Sequence, residues 1–154
     1  MPNLSRRTFV VTSVAAGGFA LGFRWSSSPA MAAAGDGATL NAFVQVTADN
    51  RVSIVVPGSE IGQGVYTTLP KIVAEEMDAD WDRVEVRLAT ADPAYGNPSK
   101  DGRQATGGSD ATRGYYDVLR KSGAAAKDML VRAAAGRLNV PASELTVDSG
   151  VISH

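Results

Sequence analysis

The sequence of 154 residues contains no cysteine and a single histidine. Without cysteine there is no disulfide framework, no thiolate metal site, no iron–sulfur ligation and no cysteine nucleophile. Long apolar runs are missing too. The stretch from Val10 to Phe23 stops after 14 residues at Arg24, short of the ~20 that a membrane-spanning helix needs. Acids are absent from the first 35 positions, which carry Arg6, Arg7 and Arg24. The rest of the chain therefore holds 12 basic against 16 acidic residues, a net charge of −4, which argues against non-specific nucleic-acid binding. The length suits one small globular domain with a modest core.

The leader reads as an export signal. "SRRTF", Ser5 to Phe9, precedes a run of apolar and small residues, and "AMAAAG", Ala30 to Gly35, offers small residues for cleavage after Ala32 or Ala34. Twin arginines ahead of a short apolar core mark the twin-arginine route. The expected division is a signal peptide over 1–34 and a folded unit over 35–154. Once the signal is cleaved, no permanent membrane span is expected. The alternative, an uncleaved anchor, fits the run's length less well. That route generally carries proteins that fold before crossing, often around a cofactor.

From Leu40 the apolar pattern has period two. "AFVQVTA" and "RVSIVVP" flank Asp49 and Asn50, the residues of a tight hairpin, and Pro57 ends the second strand. "VYTTLPKIVAEEMDADW" sets Val65, Leu69, Ile72, Val73 and Met77 at helical spacing. Pro70 inside that pattern predicts a kink, or a helix that begins at Leu69 or Pro70. "DRVEVRLATA" alternates as a half-buried strand. Asp92 to Gly108 is a 17-residue loop by composition, a length at which a loop in a compact domain is functional or disordered. Ser109 is the expected N-cap of a second helix reaching about Arg137, with Tyr115, Val118, Leu119, Ala126, Leu130, Ala133 and Leu138 as its apolar stripe. "VPASEL" predicts a helical turn, and "LTVDSGVIS" a last hairpin around Asp148, Ser149 and Gly150. The fold class is α+β, in the order β-β-loop-α-β-loop-α-β-β, with an N-terminal hairpin, two helices on a small mixed sheet and a C-terminal hairpin.

Glycines cluster twice, in "GSEIGQG" (Gly58 to Gly64) and in "TGGS" (Thr106 to Ser109), each at the entrance to a helix. Such positions direct backbone N–H groups and the positive end of a helix dipole at an anion. Neither loop is the phosphate loop of nucleotide hydrolases, because Val65 and Tyr66 stand where a lysine and a hydroxyl are needed, and no GxGxxG occurs. Gln63 can donate and accept hydrogen bonds, while ionised Glu60 can only accept. That chemistry suits a polar heterocycle carrying phosphate. From glycine content alone, a tight strand-to-helix connection with no ligand is the simpler explanation.

"EIGQGVYTTLPKIVAEEMDADWDRVEV" (Glu60 to Val86), "TGGSDATR" (Thr106 to Arg113) and "RKSGAAAKDMLVRAAAGRLNV" (Arg120 to Val140) resemble the large subunits of the molybdenum hydroxylases, the xanthine dehydrogenase and aldehyde oxidase family. The isoquinoline 1-oxidoreductase β-subunit type, also known as a membrane-associated or periplasmic aldehyde dehydrogenase, is most similar. The resemblance spans Leu40 to His154. It implies that Gly62, Gln63 and Gly64 lie against a molybdopterin cytosine dinucleotide, with Gln63 hydrogen-bonding it. Thr106, Gly107, Gly108 and Ser109 would match the small-residue segment that passes near the molybdenum and pterin. It implies an exported, periplasmic fragment of a larger molybdopterin-binding domain, working with the remainder of the large subunit, an iron–sulfur subunit and a cytochrome c. The substrate would be an aldehyde or an N-heterocycle, oxidised with water as the oxygen source. Family large subunits are several times longer and carry their catalytic glutamate near the far end, so no catalytic residue and no metal ligand is assigned here. Asp110 departs from the family pattern, where a small or hydroxyl residue is expected.

Other residues have plainer expectations. His154 is expected to be a disordered terminal residue rather than a ligand. Trp81 and Tyr115 are expected in the core, and Tyr95 is the better candidate for lining a substrate channel. Glu75, Glu76, Asp78, Asp80 and Asp82 form a solvated acidic face. Arg113, Arg120, Lys121 and Lys127 form the polar face of the second helix, Arg113 being close enough to the second glycine loop to meet a phosphate. Two further functions fit the same residues. One is a non-catalytic cofactor-binding or interaction module, or a truncated remnant of such a large chain. The other is an α+β domain that binds a different phosphorylated ligand.

Overall fold

A computed structural model of the chain describes residues 4–5, 37–47 and 49–154. Apart from Leu4 and Ser5, the expected signal, with Arg6, Arg7, the apolar run and the cleavage sites, lies outside the described residues. The strands are β1 (Leu4–Ser5), β2 (Gly37–Thr39), β3 (Val44–Thr47), β4 (Val52–Val56), β5 (Val84–Leu88), β6 (Thr146–Asp148) and β7 (Val151–Ser153). The helices are α1 (Val65–Met77) and α2 (Ala111–Leu138). The α+β class is the one the sequence predicts. One sheet runs β2-β3-β4-β5 and a smaller one β1-β7-β6.

The predicted hairpin pairs Val44 with Ile54 and Val46 with Val52, and Asn50 turns with a positive φ of 65°. Asparagine tolerates that left-handed conformation better than most residues. β4 then pairs in parallel with β5, from Val52 opposite Val84 to Val56 opposite Leu88. A parallel neighbour requires a crossover, and α1 supplies it. β2, which pairs with β3 on its other side, has no alternating pattern in the sequence and is an addition to the expected strands.

Period two in the strands and near-four in the helices converge on one core. Val44, Val46, Val52, Ile54 and Val56 are at most 1% exposed, as are Leu69, Val73 and Met77 of α1. In α2 the buried positions Tyr115, Leu119, Gly123, Ala126, Leu130 and Ala134 recur every three or four residues. Val118, Ala133 and Leu138 of the predicted stripe are only half-buried. The helices pack tightly at Gly123, where a Cβ would stand 2.7 Å from the Val73 carbonyl oxygen.

Two helix starts differ from expectation. α1 begins at Val65, five residues before Pro70, which is buried inside it. The helix survives because its first turn is well secured: Thr67 and Thr68 donate to the Gly64 carbonyl at 3.1 and 2.9 Å, and a carboxylate described below takes the amide of Tyr66. Pro70 then removes only one internal bond. α2 is preceded by Asp110 rather than capped by Ser109, whose φ of 56° puts it in the turn before the helix. The predicted turn at Ala142–Glu144 and the last hairpin are present, with Ser149 and Gly150 both at positive φ.

Candidate functional site

The chain leaves β4 through buried Pro57 and Gly58 into the first glycine loop, and leaves β5 into the long segment that ends in the second. Both loops thus follow the carboxyl ends of the parallel pair, where open α/β sheets place their ligands. They are joined directly: the Ser59 amide donates to Thr106 Oγ1 at 3.0 Å, across 47 residues of sequence. Gly58 sits against the start of α2, where a Cβ would be 4.0 Å from the Ala111 methyl. The seven residues expected at the site, Gly62, Gln63, Gly64, Thr106, Gly107, Gly108 and Ser109, therefore belong to one neighbourhood.

Inside the first loop a single carboxylate does most of the holding. Glu60 Oε1 accepts the amides of Gly62 and Gly64 at 2.8 and 3.0 Å, and Oε2 accepts that of Tyr66 at 3.0 Å. Donation by the Tyr66 amide, then by those of Gly64 and Gly62, holds the carboxyl below the usual glutamate range. The anion at the N-terminus of α1 is thus the chain's own. This corrects the expectation that the first loop offers its N–H groups to a ligand phosphate. It also makes Glu60 a poor general base near neutral pH, since its lone pairs are engaged and its proton affinity is reduced.

Gln63 is engaged as well. Its Oε1 accepts the Ile61 amide at 2.6 Å and its Nε2 donates to the Ser59 carbonyl at 2.8 Å, so the side chain folds back on its own loop. Gly62 and Gly64 have φ of 93° and 83°, and a Cβ on either would meet nothing within 4 Å. Here the glycines serve a left-handed backbone and leave open space above it. Ile61 at the loop tip is 73% exposed.

The second loop has the same character with opposite charges behind it. Gly107, Gly108 and Ser109 all have positive φ, an uncommon conformation for serine that persists only where the surroundings impose it. Below them Asp110, 7% exposed, pairs with Lys100 at 2.5 Å and with Arg113. The Lys100 hydrogen bond, then that of Arg113, holds the Asp110 carboxyl below its ordinary range. The residue that departs from the family pattern is thus neutralised, and Arg113, 75% exposed on its side chain, lies beside the loop as expected.

The 17-residue stretch from Asp92 to Gly108, which lies between β5 and α2, is built, not loose. Asp92 and Asn97, each followed by proline, accept the amides of Ala94 and Ser99 at 2.8 Å and open short turns at Pro93–Tyr95 and Pro98–Lys100. Asn97 is 0% exposed and its amide nitrogen lies 3.4 Å from the Asp110 carbonyl. Its Oδ1 fills the space beside Gly114, where a Cβ would lie 2.0 Å away. The Asp-Pro and Asn-Pro pairs signal these turns in the sequence; nothing local signals the long-range bonds of Asn97 or Thr106.

Tyr95 does not line a channel. It is buried, its ring meets Phe43 edge-on at 5.4 Å, its hydroxyl donates to Ala42 and its carbonyl accepts the buried Tyr115 hydroxyl. Trp81, expected in the core, is 39% exposed with the Lys71 ammonium 5.4 Å from its ring centroid. Tyr115 is in the core as expected. The acidic stretch is largely paired, Glu76 with Arg120, Asp78 with Lys127 and Asp80 with Arg83. His154, expected to be disordered, meets Glu144 at 2.9 Å. Among the described residues no three His, Cys, Asp or Glu side chains cluster to hold a metal. An open cavity of about 460 Å³ at the other end of β4 and β5, away from the glycine loops, is lined by Asp49, Arg51, Asp80, Asp82 and Arg83, three acids against two arginines.

The fold and these joined loops define an α+β domain with a ready-made surface of glycines and one amide side chain. The family comparison gives that class its name. Residues 8–154 match the molybdopterin cofactor-binding domain, and the chain belongs to that family. It is 48% identical to the β-subunit of an isoquinoline 1-oxidoreductase from Brevundimonas diminuta, over 99% of this chain and 20% of the relative. It is 33% identical to a membrane-bound aldehyde dehydrogenase (pyrroloquinoline-quinone) of Gluconacetobacter polyoxogenes, over 98% of this chain and 20% of the relative. A nicotinate dehydrogenase subunit from Pseudomonas putida is 32% identical over 71% of this chain and 9% of its own length. The chain spans about a fifth of the length of the first two relatives. No helix among the described residues is long and apolar enough to cross a membrane.

Proposed function

We propose that this chain is the molybdopterin-binding portion of an exported molybdenum hydroxylase that oxidises an aldehyde or an N-heterocycle. The observation that carries the reading is the Ser59–Thr106 hydrogen bond, which brings both glycine loops of the matched family domain together beyond the parallel strands. The names of the relatives, an isoquinoline oxidoreductase and an aldehyde dehydrogenase, support the substrate classes. The proposed cofactor is molybdopterin cytosine dinucleotide. When bound, it supplies the molybdenum centre at which oxygen derived from water enters the substrate.

The residues present fit such a group. Open space above Gly62, Gly64 and Gly107, where a Cβ would touch nothing, admits a flat heterocycle. Gln63, with one donor and one acceptor end, suits the mixed polar edge of a pterin. Thr106, Gly107, Gly108 and Ser109 present a second wall of small residues. Arg113 can turn toward a phosphate while Lys100 keeps Asp110 neutralised. These residues bind and orient. None abstracts a proton from substrate, so catalysis requires the remainder of a large subunit, with electrons leaving through an iron–sulfur partner and a cytochrome c. A cleaved twin-arginine signal over 1–34 would place the folded part, 35–154, in the periplasm.

Turnover in ¹⁸O-labelled water tests the reaction. The protein, co-purified with its partners from a molybdopterin-producing host, is expected to yield a labelled acid or hydroxylated heterocycle. An unlabelled hydroxylated heterocycle, its oxygen then drawn from dioxygen, would refute the proposed oxygen source.

A further inference from the structure

We infer that Glu60 is the positioning residue of this site and Gln63 its movable latch. The inference rests on the cofactor reading above for its purpose, and on the loop's hydrogen bonds for its content. Gln63 cannot hydrogen-bond a ligand with either end of its amide while Oε1 holds the Ile61 amide and Nε2 holds the Ser59 carbonyl. Engaging a ligand therefore means exchanging those two bonds for new ones. A loop of three glycines that lost both would be left without a shape, because glycine has the largest backbone freedom of any residue.

Glu60 prevents that. Its three bonds, to the amides of Gly62, Gly64 and Tyr66, involve neither end of the Gln63 side chain. They span the glycines and anchor them to the first turn of α1, while Ser59 ties the other end to Thr106. Glu60 thus fixes the positive φ of Gly62 and Gly64 whether the latch is folded back or turned out. Tight binding needs this division of labour, since a preformed loop loses little entropy when the ligand arrives. Gln63 is exposed, free to turn without disturbing the core.

Residue-resolved water-exchange NMR on the cofactor-free full chain separates the two roles. Glu60→Ala is expected to accelerate exchange severalfold at Gly62, Gly64 and Tyr66. Gln63→Ala is expected to do so only at Ile61. Glu60→Gln is the discriminating variant: its single oxygen replaces Oε1 for Gly62 and Gly64 but leaves Tyr66 without an acceptor, so Tyr66 alone should lose protection. Unchanged exchange at Gly62 and Gly64 in Glu60→Ala, or their loss in Gln63→Ala, would overturn the assignment whatever the cofactor content. If the exchange pattern holds but pterin content of the loaded protein is unaffected by Glu60→Ala, the loop's architecture stands and its role in cofactor binding falls.

Discussion

Three backbone amides, Tyr66 first, then Gly64 and Gly62, hold Glu60 below the ordinary glutamate range. The sign of the consequence follows from which state holds the proton. An unfolded glutamate titrates near about 4.3, and the folded one below that, so the carboxylate stabilises the fold fully above the unfolded value. That contribution is lost as the pH falls through the lowered folded value. Asp110, held down by Lys100 and Arg113, acts in the same direction. Glu60→Gln should therefore lower the urea midpoint at about pH 6 yet narrow the difference from wild type at about pH 3. Equal loss at both pH values would show that the carboxylate's charge is not what holds the loop. In the sequence, Glu60 is legible as a loop acid that can only accept hydrogen bonds. Its threefold role is not, because it depends on backbone directions that glycine leaves undetermined until the loop folds.

Helices α1 and α2 show what spacing encodes and what it leaves out. Val65, Leu69, Val73 and Met77 are four apart, and all are buried. The close crossing is carried by the absence of a side chain at Gly123, and a hydrophobicity pattern cannot display that. Two glycines of α2 should respond oppositely to the same substitution. Gly136 is exposed with nothing within 4 Å of its would-be Cβ, so Gly136→Ala should stabilise by up to about 1 kcal/mol through helix propensity. At Gly123 the new methyl meets the Val73 carbonyl oxygen at 2.7 Å. Overpacking of this kind costs about 1–3 kcal/mol, which exceeds the propensity gain, so Gly123→Ala should destabilise. Chemical denaturation of both variants checks the pair. Pro70 misleads in the other direction: it reads as a helix boundary, yet the loop-derived cap secures the turn before it. The long segment between β5 and α2 reads as a loop from composition, but Asn97 and Tyr95 make it part of the core.

For the whole molecule, period-two and period-four patterns specify the α+β class and the order of most elements. Contacts between distant parts are not specified in that way, and they build the site: Ser59 with Thr106, Asn97 with Gly114, Lys100 with Asp110. The resemblance to a cofactor-binding family compensates, because it matches both loops in order across the chain. The described surface also leaves apolar side chains and one strand uncovered. β5 is paired in parallel yet none of its residues is fully buried, Leu88 is 57% exposed, and Ile61 projects from the first loop. Parallel strands are ordinarily covered on both faces. Relatives about five times as long carry ample chain to provide that cover.

The most direct test is the molybdenum and pterin content, per chain, of the protein purified with its partners from a molybdopterin-producing host, in wild type and in Gln63→Ala. The proposed function predicts near-stoichiometric metal and pterin in the wild type, and a marked loss of both in the variant, with the fold intact by circular dichroism. Wild-type protein that carries neither metal nor pterin, or a variant that keeps both in full, would contradict it.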